Sequence, residues 1–309
     1  LASYSFSKKI LQFSFTLGTG TFGGTGQNTA TIPVEGTGGE SPASLRATAI
    51  IEENGGPTSA NAECWIYGLP LSLMNQLTTL GKQFNANAYG KNQISIYAGD
   101  DKSGVPLVFT GTVYEAYMDG MASMPRVPFR VRATGDWGLK MKMIPPTSVQ
   151  GNADVATTMQ KLASQAGLAF ENGGVNVKVN NPYLPGSIRI QISTLASMAG
   201  IQHLISKGTL AIWPTGQARQ GGGHIVSRQT GMVGYPAVES TNIVVKELYD
   251  PSFDCGHDFT IQSDVTAANG TWNCIRLVRE LESEMPSGKW FQILYGNPTE
   301  QKNQMSGAH

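Results

Sequence analysis

The sequence predicts a mainly β protein with an α+β insert, in which two barrel-like β domains flank a small α+β domain built from two α-β-β repeats. Three observations carry this. Short segments of strict apolar/polar alternation recur through residues 1–140 and again through 232–298. Two stretches between them switch to helical spacing. Each is followed by glycine and then by strand-like sequence, with the copies offset by 33 residues. Two copies are too few for a solenoid but enough to lay two helices on one sheet.

Residues 1–140 hold six alternating segments: ILQFSFTL (10–17), SLRATAIIEE (44–53), AECWIYGL (62–69), NQISIYAGD (92–100), PLVFTGTVYEAYMDG (106–120) and RVPFRVRATG (126–135). Turn-forming clusters such as ENGGP and GDDKSG separate them. LPLSLMNQLTTLG (69–81) departs from the period: Leu73, Leu77 and Leu80 recur at helical spacing and Gly81 supplies a stop. Six strands and one helix predict a barrel or tight sandwich plugged by a helix.

Residues 141–231 form the α+β part and its connection. ADVATTMQKLASQAG (153–167) aligns Val155, Met159, Leu162 and Ala166 on one stripe, with Gly167 as the stop. SIRIQISTLASMAG (187–200) aligns Ile188, Ile192, Leu195 and Ala199 after Ser187, an expected N-cap. Residues 215–231, TGQARQGGGHIVSRQTG, read as a Gly/Gln/Ser-rich linker. Residues 232–298 return to β spacing in segments 235–251, 258–265, 270–284 and 288–298, a second barrel that is either shorter or incomplete. Residues 299–309 lack apolar periodicity and read as a flexible tail.

The 309 residues carry 22 Lys+Arg and 22 Asp+Glu, so no net field favours nucleic acid or anionic lipid. Only 14% of residues are charged, which suits a neutral, polar, extracellular or particle-forming β protein better than a cytosolic enzyme. The lysine pair before the first apolar segment imitates a secretion signal, but Gln12, Ser14 and Thr16 interrupt the segment at every second residue. No run reaches membrane-spanning length. The expectation is a soluble chain made in a cytoplasm.

Candidate chemistry is sparse. Gly18, Gly20 and Gly23 match the GxGxxG spacing of a dinucleotide turn, and Glu40 lies about as far downstream as a ribose-binding acid would. Such a turn needs a helix directly after the glycines, and TGQNTATIPVEGTGGESPAS has no helical stripe. A pliable extension of the first strand is the better reading of Gly18, Gly20, Gly23, Gly24 and Gly26, and a place where a neighbouring chain can pair. GGGH (221–224) lacks the GxSxG elbow that an oxyanion loop serves. Cys255 and His257 share a strand face beside Asp258, but a turn explains CGHD as well. Cys64, Cys255 and Cys274 show no CxxC spacing and read as buried small hydrophobes, although a Cys255–Cys274 disulfide across a hairpin stays open. His203, His224, His257 and His309 lack metal-ligand spacing. Asp100–Asp101 and Glu52–Glu53 read as solvated turn and strand-end groups. Tyr114, Tyr117, Met118, Met121 and Met124 make an apolar patch, core filling or a protein contact. No catalytic, cofactor or metal residue is therefore assigned.

Several stretches, in order, also carry a family likeness: LQFSFTLGTGTFG (11–23), WIYGLPLSLMNQLTTLG (65–81), NQISIYAGDD (92–101), IPPTSVQGNADVATTMQKLASQAGLAFENGGV (144–175), NPYLPGSIRIQI (181–192), LAIWPTG (210–216), TGMVGYPAV (230–238) and GTWNCIRLVRELESEMPSGKWF. Through these the chain resembles the baseplate hub proteins of contractile-tailed bacteriophages over nearly its whole length. The resemblance implies a non-enzymatic virion protein of the tail baseplate, synthesised in the bacterial host cytoplasm. It implies a homotrimer on the tail axis between the hexameric tail tube protein and the central spike protein, in contact with other baseplate proteins. Two barrel domains per subunit then act as six similar units that adapt sixfold to threefold symmetry. No cofactor, no recognition of nucleic-acid sequence and no membrane span are implied. The alternative from composition alone is a secreted or particle-bound carbohydrate-binding β protein, a receptor adhesin using Trp65, Trp213, Trp272 and Trp290.

Overall fold

The computed structural model describes residues 7–18, 21–22, 27–32, 45–56, 58–79, 90–120, 127–219, 221, 223–238 and 242–298. Its first elements are β1 (Lys9–Thr16), β2 (Thr29–Ile32), β3 (Ala47–Asn54), β4 (Asn61–Tyr67), α1 (Leu71–Leu77), β5 (Gln93–Asp100), β6 (Leu107–Met118), β7 (Pro128–Thr134) and α2 (Trp137–Met141). Next come β8 (Thr147–Ser148), β9 (Asn152–Asp154), α3 (Val155–Ala166), β10 (Ala169–Asn172), β11 (Lys178–Asn180), β12 (Tyr183–Leu184) and α4 (Ile188–Ala199). The chain closes with β13 (Ile201–Ser206), β14 (Thr209–Pro214), β15 (His224–Ser227), β16 (Ala237–Val238), β17 (Ile243–Leu248), β18 (Asp258–Gln262), β19 (Gly270–Ser283) and β20 (Trp290–Pro298). It is mainly β with a small helical part, as the alternation predicts.

The chain divides into two compact units. Unit 1 comprises Leu1–Ile51, Asn61–Gly135 and Arg279–Trp290; unit 2 comprises Glu52–Ala60, Asp136–Val278 and Phe291–His309.

In unit 1 the strands follow the order β3-β4-β7-β6-β5-β1-β2, with β19 beside β3. Alternation sends Leu11, Phe13 and Phe15 of β1 inward with Ile94 and Ile96 of β5 and Phe129 and Val131 of β7, all fully buried. Buried alanines fill the positions among them (Ala47, Ala49, Ala62, Ala98, Ala116, Ala133), a large-against-small pattern suited to a narrow barrel-like interior. At one rim Lys8 Nζ lies 3.0 Å from Glu284 Oε1, and Lys9 Nζ sits 6.0 Å over the Trp290 ring. α1 stops earlier than its leucine spacing predicts. Leu77 is its buried anchor, and Thr78 leaves the helix in extended conformation. Thr79 fixes that exit on β6: its N–H donates to Ala116 O at 2.8 Å, and its Oγ1 accepts from the Ala116 N–H at 2.7 Å. The expected Leu80 and Gly81 lie outside the described residues, as does the tail 299–309.

Unit 2 builds on two cores. α3 and α4 pack Val155, Met159, Leu162, Ile188, Ile192 and Leu195 against Ile205, Leu210 and Ile212 of the β13–β14 hairpin. The other face of that hairpin gives Leu204, Ala211 and Trp213 to a second core with Val245, Phe253, Phe259, Trp272 and Leu294. A hairpin buried on both faces reads as a continuous apolar run, which LAIW is. Both helices end on left-handed glycines, Gly167 and Gly200, as their spacing predicts. The Asp154 carboxylate caps α3 by accepting from the Thr157 N–H at 2.7 Å; Ser187 precedes α4 without a side-chain cap.

Two expectations need refinement. The α-β-β order holds in both copies, but only in the second do the two strands, β13 and β14, pair as a hairpin. In the first, β10 runs parallel to β14, and the following strand, β11, pairs antiparallel with β9. The cause is local: Asn172 Oδ1 accepts from the Gly174 and Val175 N–H groups, a side-chain turn that sends the chain away from β10. The second correction concerns 215–231. It is no mere linker, because HIVS forms β15 and pairs parallel with β18. Four residues beside a glycine run are too few to show a period.

Candidate functional site

The GxGxxG run lies between two antiparallel strands. Thr16 of β1 pairs with Thr29 of β2, and between them Leu17 N–H donates to Asn28 O and Phe22 N–H to Gln27 O, both at 2.8 Å. Gly18 leans so closely on Lys91 that a Cβ would come within 2.4 Å of its side chain. Among the described residues the element after the glycines is the strand β2 and not the helix that a pyrophosphate site needs. Gly20, Gly23, Gly24, Gly26 and Glu40 lie outside the described residues.

The remaining candidates are dispersed and paired. Cys64, Cys255 and Cys274 are free and buried, so the Cys255–Cys274 disulfide does not form. Burial, with Glu63 nearby, pushes the Cys64 thiol well up, the reverse of nucleophile activation. Cys255 donates weakly to Cys274 O at 3.6 Å. Its neighbour His257 is pushed below the ordinary imidazole range, by burial first and then by Arg219. Burial raises the Asp258 carboxyl. Arg219 itself grips Glu171 through two bonds of 3.0 and 2.6 Å.

His203 belongs to a buried chain in which Arg189 Nε donates to Asp136 Oδ2 at 2.6 Å while its other arm meets His203 Nε2 at 2.8 Å. Burial and the guanidinium push His203 down to about 4, so it is neutral at physiological pH. His224 contacts Glu247 in a separate cluster, and His309 lies outside the described residues. Among the described residues no three His, Cys, Asp or Glu side chains are grouped to hold a metal.

The carboxylate pairs are also engaged. Burial opposes ionisation of Asp100, but the Ser103 and Lys102 amides and the Lys9 ammonium outweigh it and bring the carboxyl down to about 2. Asp101 Oδ1 accepts from the Lys8 N–H at 2.9 Å. Glu52 pairs with Arg276 at 2.8 Å, while Glu53 is buried and accepts from Ser206 Oγ.

On unit 1, Leu71 and Met118 are 60% and 51% exposed, and depressions of about 410 and 280 Å³ meet at Met74 of α1. Tyr117 and Phe129 complete the apolar lining of the smaller one; Met121 and Met124 lie outside the described residues. The outward side chains of β4, β7 and β6 form a charge ladder in which Glu63 pairs with Arg130 and Arg132, and Arg132 reaches Glu115 at 2.7 Å. Of the four tryptophans considered for sugar binding, Trp213, Trp272 and Trp290 are buried, and Trp65 is half-buried beneath the Arg130 guanidinium. No helix among the described residues is long and apolar enough to cross a membrane.

The family model described as baseplate hub gp41 matches residues 29–287. No curated protein sequence matches significantly. Among solved structures, a tail protein from Neisseria meningitidis superposes with a TM-score of 0.60 at 10% identity, over 94% of this chain and 97% of that one. The 43 kDa tail protein of prophage MuSo2 from Shewanella oneidensis gives 0.58 at 7% identity, over 94% and 98%. An Escherichia coli component of the type VI secretion system, described as similar to the T4 bacteriophage tail proteins gp27 and gp5, gives 0.56 at 10% identity, over 84% and 74%. At such identities the likeness is one of fold.

Proposed function

The chain belongs to the baseplate hub gp41 family, and from that premise we propose that it joins the tail tube to the central spike as a homotrimer on the tail axis. Family membership makes it a structural component of the phage tail baseplate. The proposal adds its neighbours, its copy number and its task, which is to convert the sixfold symmetry of the tube into the threefold symmetry of the spike.

The observation that carries the reading is the family match across residues 29–287, which takes in strands of both units. Two strand-built parts per chain, residues 1–140 and 232–298, would give three copies six β modules to set against a hexameric ring. Residues 141–231 would then be an insert between the modules. The non-enzymatic reading is supported by the family's structural role and by the engagement of the candidate groups in ion pairs and buried contacts. An oligomer of this kind needs extensive interfaces, of the several-thousand-Å² class of permanent assemblies, and the apolar depressions at α1 are a candidate for part of one.

Electron microscopy of intact tails tests the proposal. The expected result is three copies of the chain around the axis, directly below the last tube ring and above the spike. Six copies, or a position at the baseplate periphery, would overturn it.

A further inference from the structure

The glycine run that ends at His224 has no part in the hub proposal, yet it leads into a buried polar cluster of unit 2. His224 opens β15, whose pairing partner is the parallel strand β18, in register from His224↔Phe259 to Ser227↔Gln262. Its imidazole is mostly buried, and each ring nitrogen faces a carboxylate. Nε2 lies 2.8 Å from Glu247 Oε1 on β17, and Nδ1 lies 3.7 Å from Asp250 Oδ2 just beyond that strand. The ring packs at 4.6 Å against Phe253. Glu247 is only 2% exposed, and the same oxygen accepts from Gln292 Nε2 on β20 at 2.7 Å.

This arrangement selects one protonation state. Neutral imidazole carries one N–H; the imidazolium carries two and can answer both carboxylates. Among the described residues the charged groups that face the ring are Glu247 and Asp250. Phe253, Phe259 from β18 and Gln292 from β20 bring no charge. Lys246 precedes Glu247 on β17 and so projects to the opposite face, where its ammonium sits 4.4 Å over the Phe291 ring. A carboxylate this deep is costly without a cation, and the imidazolium supplies it. Burial works against the charged ring, but Glu247 and Asp250 outweigh it and hold His224 above its ordinary value of 6.5.

We propose that β15 is a strand released by rising pH: the His224 imidazolium clasps it to Glu247 of β17, and loss of the proton frees it and uncovers the edge of β18. The chain can accommodate the movement, because Gly221 and Gly223 just upstream take φ of +108° and +116°, values open to glycine and strained for other residues. The direction follows from linkage. A group whose folded pKa is raised stabilises the closed form fully below its released-state value, and that stability disappears as pH climbs through the folded value.

Hydrogen exchange on the full chain from pH 6 to 9, corrected for the intrinsic base catalysis of exchange, tests this. The opening of residues 225–227 and 258–262 rises up to tenfold per pH unit between the two pKa values and then levels off, while α3 stays constant. In His224→Gln the same amides are weakly protected at every pH and the step is absent. Glu247→Gln keeps an acceptor for Gln292 but removes the charge, and the step moves toward lower pH. Should the variants fail to fold, an NMR titration of His224 in the native chain decides, with a midpoint above 6.5 expected. Flat corrected exchange across the range, a step that persists in His224→Gln, or a midpoint at or below 6.5 overturns the proposal.

Discussion

Trp213 shows how single residues set tolerances in this chain. Its ring lies where a Cβ on Gly256 would come within 3.0 Å of it and within 2.7 Å of Arg219 Cδ, and Gly256 has φ +92°. Gly256→Ala therefore meets two penalties, about 1–2 kcal/mol for the left-handed backbone and ~1–3 kcal/mol for displacing a packed ring. Gly234, at φ +75° with no atom within 4 Å of its Cβ, meets only the first. Urea denaturation followed by tryptophan fluorescence should show Gly256→Ala losing clearly more stability than Gly234→Ala. Equal losses would mean that the space around Trp213 is not tight. Neither site was legible in the sequence, because closeness to a distant ring leaves no local pattern. The same holds for His224, whose meaning comes from Glu247 and Asp250 rather than from its glycine neighbours.

Elements were legible in proportion to their length. The long strands β1, β5, β6, β19 and β20 repeat their period often enough to be read directly, and α3 and α4 carry both a stripe and a glycine stop. β2, β8, β9, β12, α2 and β15 have two to five residues each, and backbone pairing rather than patterning defines them. Even within well-read helices, the caps differ in kind. Asp154 makes its bond to Thr157, so Asp154→Ala should cost about 1 kcal/mol. Ser187 has the right residue type and position, but its buried Oγ has no partner and it does not cap α4. Ser187→Ala should be neutral or slightly stabilising, since an unsatisfied hydroxyl is removed from the interior. Thermal unfolding of the two variants separates these cases; a large loss in Ser187→Ala would show that the hydroxyl is used after all.

At the scale of the molecule, neither unit is one continuous stretch of chain. Unit 1 takes its last segment, Arg279–Trp290, from beyond the whole of Asp136–Val278. Alternation identifies strands but not their neighbours, so the order β3-β4-β7-β6-β5-β1-β2 with β19 beside β3 could not be read from the sequence. A fragment of residues 1–140 lacks β19 and leaves that side of β3 uncovered. It should aggregate or show broad, poorly dispersed amide resonances, whereas the full chain gives a dispersed spectrum. A well-folded 1–140 fragment would show that β19 adds little to unit 1.

This discontinuity also sets an order on biosynthesis. Ser283 Oγ donates to Leu45 O across 238 residues, so unit 1 cannot be complete until residue 283 has left the ribosome. Until then β3 is an apolar strand with one side open, the kind of edge that recruits other chains. A ribosome that stalls within unit 2 thus releases a product that is defective in unit 1 as well. Premature termination anywhere before residue 279 is thereby exposed to chaperones and proteases rather than concealed behind a finished first unit.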